Sequence, residues 1–358
     1  MYPRRSLLTL PLAALTGLPA LPQRQNQKLP GYRLSVRVEH LFRGLPLEQQ
    51  IRALSGLLAA PLARTATASH PVGFAIGTYG MRTVPTGEAF RLIANIGYDG
   101  VALALMPGWP ADPARLTRSQ RQEIRDGLRE SGLVLPSVNE SLPITGLVKD
   151  RDHNLERIKL AASLVHFLVP SAPPCLDTIL GGKSGDWASA REAIAAELRT
   201  WAQVAEAEDF TIGIKPHAGH AVDTPYKAVW LMKQLASPRL RLIYDYSHMA
   251  IGGFSLGRSL REMLPYTSFI SLKDSEGASE NFTFLLPGAG ATDYIDCFKI
   301  LRELGYQGFV SVEVSSMVQR QPDYNLSTVA RLCYRRLAPA FSAAGLPRPV
   351  RHKGRSPK

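Results

Sequence analysis

The sequence lacks several features that would have narrowed its function at once. It has three cysteines in 358 residues, Cys175, Cys297 and Cys333, set far apart. They form no Cys-x-x-Cys pair and no even-numbered framework, so neither a disulfide scaffold nor a thiolate metal site is expected. Cys297 in DYIDCFKIL and Cys333 in VARLCYRRL fall on helical patterns and read as core residues. The apolar stretches near the start, SLLTLPLAALTGLPALP and ALSGLLAAPLA, are broken by Pro or Gly and are too short to span a bilayer. No integral membrane segment is therefore expected in the mature protein. No glycine-rich phosphate fingerprint follows the first strand pattern, which disfavours a dinucleotide-binding sheet.

A basic stripe is also missing, despite a net charge of +12. Residues 1–70 hold nine Lys/Arg against Glu39 and Glu48, giving +7, and the tail from Leu346 adds five more positive charges. These two ends account for the whole excess, and residues 71–345 are balanced. A nucleic-acid partner is not expected. Hydrophobic residues make up 45% of the chain, an ordinary globular content.

The first seventy residues read as an address. Arg4 and Arg5 precede an apolar stretch rich in small residues, similar to a twin-arginine signal peptide. Ala66-Thr67-Ala68 has the small-x-small form of a cleavage site, so the folded protein is expected to begin near Ser69 after export to the periplasm or beyond. A basic extension without an address, and a cytoplasmic protein, is the alternative. The expected organisation is a leader over 1–68, one domain over 69–345 and a disordered basic tail over 346–358.

What is present is a repeat of strand and helix patterns about 30 residues apart. The strands expected are GFAIGTYG (73–80), GVALALMP (100–107), LVLPSVNE (133–140), CLDTIL (175–180), TIGIKPH (211–217), LRLIYDYSH (240–248), SFISLKD (268–274) and FVSVEVSS (309–316). Helical patterns follow each, with Thr86 as an expected N-cap and Gly132 as an expected C-cap. Eight such units predict a single-domain α/β fold, the (β/α)8 TIM barrel, with an open doubly wound sheet as runner-up.

Ionisable residues gather at the carboxyl ends of these strands, where such barrels carry their sites. Taking the last polar residue of each strand as inward places Ala102, Lys215, Asp245, Ser271 and Glu313 around one mouth. One cation then faces two carboxylates, with Lys215 expected between Asp245 and Glu313.

At these residues the chain resembles the xylose isomerase-like family of sugar phosphate isomerases and epimerases, from about Gly73 to Phe341. GYDGVAL (97–103), GIKPH (213–217), DYSH with SLKD (245–248 and 271–274), and LPGAG…DY followed by VSVEV carry the likeness. The resemblance implies a TIM barrel with a divalent metal, Mn, Mg or Zn, held by Glu, Asp, His and Glu. Asp245 and Glu313 fall on two of those ligands and His248 on a nearby family histidine; a retained metal would rest on these three. Lys215 stands at the first glutamate, Ser271 at the histidine, Ala102 at a second-strand glutamate and Ala289 within the Gly-Glu-Gly. A protonated lysine has no lone pair to give a metal, and its charge would repel one. The expectation is therefore a metal-free site with Lys215 in the ion's place.

The reaction expected from the resemblance is proton abstraction alpha to a carbonyl on a small carbohydrate. Glu313 would act as base, with Lys215 or His248 polarising the carbonyl and Asp245 completing the catalytic set. His217, Lys273, Asn139, Glu140 and Ser271 are the candidates for substrate contact. Lys273 could instead pair with Asp274. Two alternatives stay open: a barrel that binds a carbohydrate or partner without chemistry, with Trp109, Tyr79, Tyr244 and Tyr246 near the mouth, and a lyase using Lys215 as a Schiff base. His220 is expected at a turn beside His217, and His166 in helix packing. Oligomeric state is left open.

Overall fold

The computed structural model describes residues 70–144 and 148–350, together with a short antiparallel strand pair, Leu8–Thr9 with Ser35–Val36. Apart from Leu8–Thr9, the expected export signal lies outside the described residues, as do the cleavage site and residues 351–358 of the expected tail.

Eight parallel strands close on themselves: β1 (Val72–Gly77), β2 (Gly100–Ala104), β3 (Val134–Asn139), β4 (Cys175–Thr178), β5 (Ile212–Ile214), β6 (Leu240–Asp245), β7 (Thr267–Leu272) and β8 (Gly308–Val312). Strand β8 pairs with β1 on one side and β7 on the other, so the sheet has no edge. That closure excludes the open doubly wound sheet. Each strand is shorter than its sequence pattern suggests, because the polar residues at its carboxyl end leave the ladder and form the mouth.

Helices cover the outside: α1 (Thr86–Ile96), α2 (Arg118–Ser131), α3 (Val148–Leu168), α4 (Trp187–Ala207), α5 (Pro225–Leu235), α6 (Tyr246–Ile251), α7 (Leu256–Met263), α8 (Tyr294–Glu303), α9 (Ser316–Gln319) and α10 (Leu326–Ala344). Their ends follow local chemistry. Thr117 and Gln120 form a reciprocal capping box at α2, and Gly132 closes it in the left-handed conformation at φ 64°. Thr86 differs from expectation: it is the first residue of α1, and Pro85 occupies the N-cap without a side-chain bond. Among the described residues no helix is long and apolar enough to cross a membrane.

The barrel interior is a packed core, not a channel. Ala102, Cys175, Ile243 and Phe269 cluster inside it with Phe309 against them. Gly73 makes room for that plug, since a Cβ there would lie 2.1 Å from the Phe309 ring. Gly213 does the same for Ile243, at 2.3 Å. Because strand side chains alternate, the residues two further along from Cys175 and Ile243 share this inward face. These are Asp177 and Asp245.

One element had no counterpart in the sequence reading. Between β7 and β8 the chain forms an antiparallel hairpin, Asp274–Ala278 with Asn281–Leu285. Its Phe284 packs on Ala218 and Ile251, with Phe282 and Met317 alongside, at the carboxyl end of the barrel.

The expected boundary at residue 345 moves outward. Leu346 is buried, and Val72 N–H donates to the Pro347 carbonyl at 2.8 Å. Arg348 grips both oxygens of buried Asp99 at 2.8 and 2.9 Å, donates to the Gly97 carbonyl at 2.7 Å and lies over Phe74, Tyr334 and Phe341. Arg348→Ala is expected to lower stability by about 2–3 kcal/mol, because Asp99 would remain buried without its cation. Urea unfolding of the two proteins measures it, and an unchanged midpoint would mean the clasp contributes nothing.

Candidate active site

The mouth carries a ladder of alternating charges. Lys215, one residue past β5, places its Nζ 3.0 Å from Asp177 Oδ2 and in contact with Glu313 Oε2. Lys273, one residue past β7, places its Nζ 2.9 Å from Glu313 Oε1 and 2.5 Å from Asp245 Oδ2. The order in space is Asp177, Lys215, Glu313, Lys273, Asp245. The expectation that Lys215 bridges Asp245 and Glu313 is therefore corrected: Asp245 belongs to Lys273, and Lys215 takes Asp177 instead. Barrel order explains it, since β4 with Asp177 pairs with β5, while β7 lies between β6 and β8. The companion idea that Lys273 pairs with Asp274 also fails. Asp274 accepts from the Gly288 and Gly290 N–H groups at 2.9 and 2.8 Å and from the Tyr294 hydroxyl at 2.9 Å, and so ties down the following loop.

The ladder sets the charge states. Burial by itself would strip the Lys215 proton, but Asp177, Glu313 and Asp245 outweigh it and hold its pKa above the usual lysine range. Burial would likewise raise Glu313, yet Lys215 and Lys273 hold its carboxyl well below the usual carboxylate range. Asp177 goes the other way: burial pushes it up to about 6 against the pull of Lys215. Its Oδ1 is buried with no hydrogen-bond partner.

Other expected residues find different places. His248 is wholly buried; its Nδ1 accepts from the Ala218 N–H at 3.2 Å, and its Nε2 lies 3.1 Å from Lys273 Nζ. Burial and then Lys273 hold it neutral, and with Nδ1 accepting its one proton sits on Nε2, so it packs against Lys273 behind the cavity without accepting from it. Glu140 lies against the cavity, but its Oε2 is held by Arg157 and its Oε1 by the Ser141 N–H. Arg157, unforeseen in sequence, also binds Asp112 at 2.7 Å and the Leu105 carbonyl at 2.5 Å, fixing the loops after β2 and β3 with one side chain. Ser271 is buried below Lys273 and does not line the cavity. Tyr244 is buried on Ser259 at 2.9 Å and Tyr246 packs beside the core, so neither reaches the mouth. His166 does pack between elements, with its Nε2 2.7 Å from the Glu208 carbonyl.

Above the ladder is a cavity of about 340 Å³. Lys215, Lys273, Glu313, Asn139 and His217 contribute to its polar side, and Tyr79 and Trp109 line it as expected. Asn139 is oriented by its Nδ2, which donates to the Asp177 carbonyl at 3.2 Å. His217 Nδ1 lies 2.9 Å from the Ala218 carbonyl, which fixes the proton there and leaves Nε2 as an acceptor. Burial and the neighbouring His220, whose ring centroid is 4.1 Å away, push its pKa down to about 3. A second cavity of about 390 Å³, between α3 and α4, holds no part of the charge ladder.

A divalent metal does not fit these residues. Both Glu313 oxygens and Asp245 Oδ2 face ammonium groups, and Asp245 Oδ1 accepts from the Ser247 N–H and hydroxyl at 3.1 and 2.7 Å. An ion would have to displace a buried cation to reach its ligands. Among the described residues no group of three or more His, Cys, Asp or Glu is arranged to hold one.

Residues 90–333 match the profile of a family described as xylose isomerase-like TIM barrel. A putative hydroxypyruvate isomerase of Mus musculus is 31% identical over 93 residues, 26% of this chain and 31% of that protein. The chain thus spans less than a third of that relative's length in the match. The 3-dehydro-D-guloside 4-epimerase of Escherichia coli K12 is 24% identical over 260 residues, 66% of this chain and 91% of that one. Among solved structures, the probable 3-DHS dehydratase involved in petrobactin synthesis from Bacillus anthracis superposes with a TM-score of 0.64 at 15% identity, over 75% of this chain and 99% of that chain. At that identity the superposition shows the shared barrel.

The raised pKa of Asp177 has a signed consequence. Its folded value of about 6 exceeds the unfolded value of about 3.9, so the folded state holds the proton more tightly. The destabilising contribution of the charged form therefore grows as pH rises from about 4 to about 6 and is complete above that. Asp177→Asn should gain stability relative to the parent across this window, read by urea unfolding at pH 4, 5, 6 and 7. A stability difference independent of pH would contradict the assignment.

Proposed function

Because the chain belongs to the xylose isomerase-like TIM barrel family, we propose that it is an isomerase or epimerase of a small carbohydrate, moving a proton alpha to a carbonyl without a divalent metal. One observation carries this reading. Glu313 is the carboxylate of the ladder most open to the cavity, its side chain 24% exposed against 5% for Asp177 and 0% for Asp245, and an ammonium sits on each of its oxygens.

A substrate carbonyl seated over Glu313 would meet Lys215 or Lys273 through its oxygen. As Glu313 takes the alpha proton, the C–H electron pair moves into the carbon–carbon bond and the carbonyl pair onto oxygen. The neighbouring ammonium stabilises that oxyanion, the role a metal ion fills elsewhere. The same ammoniums make Glu313 a weak base at rest. A substrate oxygen competes for their protons, and each N–H that turns toward the substrate returns basicity to Glu313. Reprotonation on the other face gives an epimer, and on the neighbouring carbon an isomer. His217, a neutral acceptor, and Asn139 are placed to hold hydroxyl groups. The names of the two sequence relatives, an isomerase and an epimerase, support the reaction class.

A Schiff base at Lys215 is disfavoured, because an amine between two carboxylates stays protonated and non-nucleophilic. Arg4 and Arg5 ahead of an apolar stretch support export, with a mature chain beginning near Ser69.

The test is deuterium uptake from heavy water at the carbon next to the carbonyl in a panel of ketoses and aldoses. Glu313→Gln should slow uptake by about 10²–10⁴-fold, and Lys215→Met or Lys273→Met by about 10²–10³-fold. Dialysis against a chelator should leave the parent rate unchanged. A rate lost on chelation and restored by Mn²⁺ or Zn²⁺ would overturn the metal-free mechanism, and sugar binding without exchange would favour a non-catalytic barrel.

A further inference from the structure

Each ammonium of the ladder keeps one N–H to spare. Lys215 gives two of its three to Asp177 and Glu313, and Lys273 gives two to Asp245 and Glu313. His248 takes none from Lys273, because its Nε2 carries a proton. Both ammoniums border the cavity, one at each oxygen of Glu313. We propose that the reaction is a shift of the carbonyl between adjacent carbons, the interconversion of an aldose and a ketose, and not an epimerisation. The assignment rests on the carbohydrate reading above and selects one of its two outcomes.

The two reactions need different sites. Epimerisation beside a carbonyl puts charge on one oxygen, and from an intermediate held in one orientation it needs proton carriers on both faces of the carbon. A carbonyl shift puts charge on two neighbouring oxygens in turn, and one carrier within reach of two neighbouring carbons suffices. The ladder has the second form, a single carboxylate with an oxyanion donor on each side of it. In the shift, Glu313 takes a proton from C1 of a ketose. The C–H pair becomes the C1–C2 double bond, and the carbonyl pair moves onto O2. The O1 hydroxyl proton passes to O2. The O1 pair then forms the new carbonyl, and the double-bond pair takes the proton of Glu313 at C2. Glu313 ends as it began, and each oxygen meets an ammonium while it is negative.

A second proton carrier is lacking among the described residues that line the cavity. Glu140 is occupied by Arg157 on one oxygen and by the Ser141 N–H on the other. His217 commits its Nδ1 proton to the Ala218 carbonyl, and burial pushes its pKa down to about 3, which makes it a very weak base. The Tyr79 phenol, its pKa raised by burial and by Glu313, offers no phenolate to take a proton back.

The experiment is incubation of D-fructose and D-xylulose with the full chain in heavy water, followed by NMR and sugar chromatography. Each ketose should yield one aldose, with the C2 epimer of that aldose and the 3-epimer of the ketose each at least about tenfold less abundant. Deuterium should enter one of the two C1 positions of the ketose and C2 of the aldose. Glu313→Gln should slow labelling and aldose formation together, by about 10²–10⁴-fold, which rules out a contaminating isomerase. A 3-epimer as the main product, deuterium at C3, or both aldose epimers in comparable amounts would overturn this inference and leave the proton-transfer reading in place. No exchange at any carbon would overturn both.

Discussion

Two ammonium groups threaded between three carboxylates hold the mouth of this barrel together. Asp177, Asp245 and Glu313 stand close enough to repel one another, and Lys215 and Lys273 fill the two gaps between them. Each cation satisfies two acids, so the loss of either would leave buried charge uncompensated. Three acids against two bases leave one negative charge too many. That excess weighs on Asp177, whose carboxyl burial pushes up to about 6 and whose Oδ1 has no partner. Glu313, at the centre with a cation on each oxygen, keeps its charge and faces the cavity.

The surrounding elements serve to keep that ladder in register. His248 packs behind Lys273, and the Asp274 clamp fixes the loop that follows the hairpin. Arg157 gathers Glu140, Asp112 and the Leu105 carbonyl below the opposite rim. Below the mouth, Phe309 packs into the barrel interior against Ala102, Cys175, Ile243 and Phe269, and Gly73 makes room for its ring. A low local dielectric strengthens every charge contact of the ladder.

Much of the architecture was legible in the chain. Eight apolar runs at regular spacing, each ending in polar residues, specify a parallel barrel because a strand covered on both faces has to be apolar throughout. Glu313 and Lys215 are the last inward polar residues of their strand patterns. The same rule applied to CLDTIL would have found Asp177, two residues past Cys175 on the same face. The apolar pattern of CLDTIL runs on past the aspartate and hides it, whereas β4 ends at Thr178. The hairpin gave no such signal: DSEGASENFTFL has weak alternation, and its pairing is set by where Phe284 can pack.

The amino-acid sequence alone determined the fold and the end of the barrel at which its ionisable residues gather, since periodicity and residue identity are properties of the chain itself. Which lysine meets which carboxylate was decided only in the closed barrel. Pairing across a mouth depends on strand order and side-chain reach, and these bring together residues as far apart as Lys215 and Glu313. The same is true of Arg157, an ordinary helical residue in the sequence that becomes a buried anchor of two loops only when α3 lies against the ends of β2 and β3.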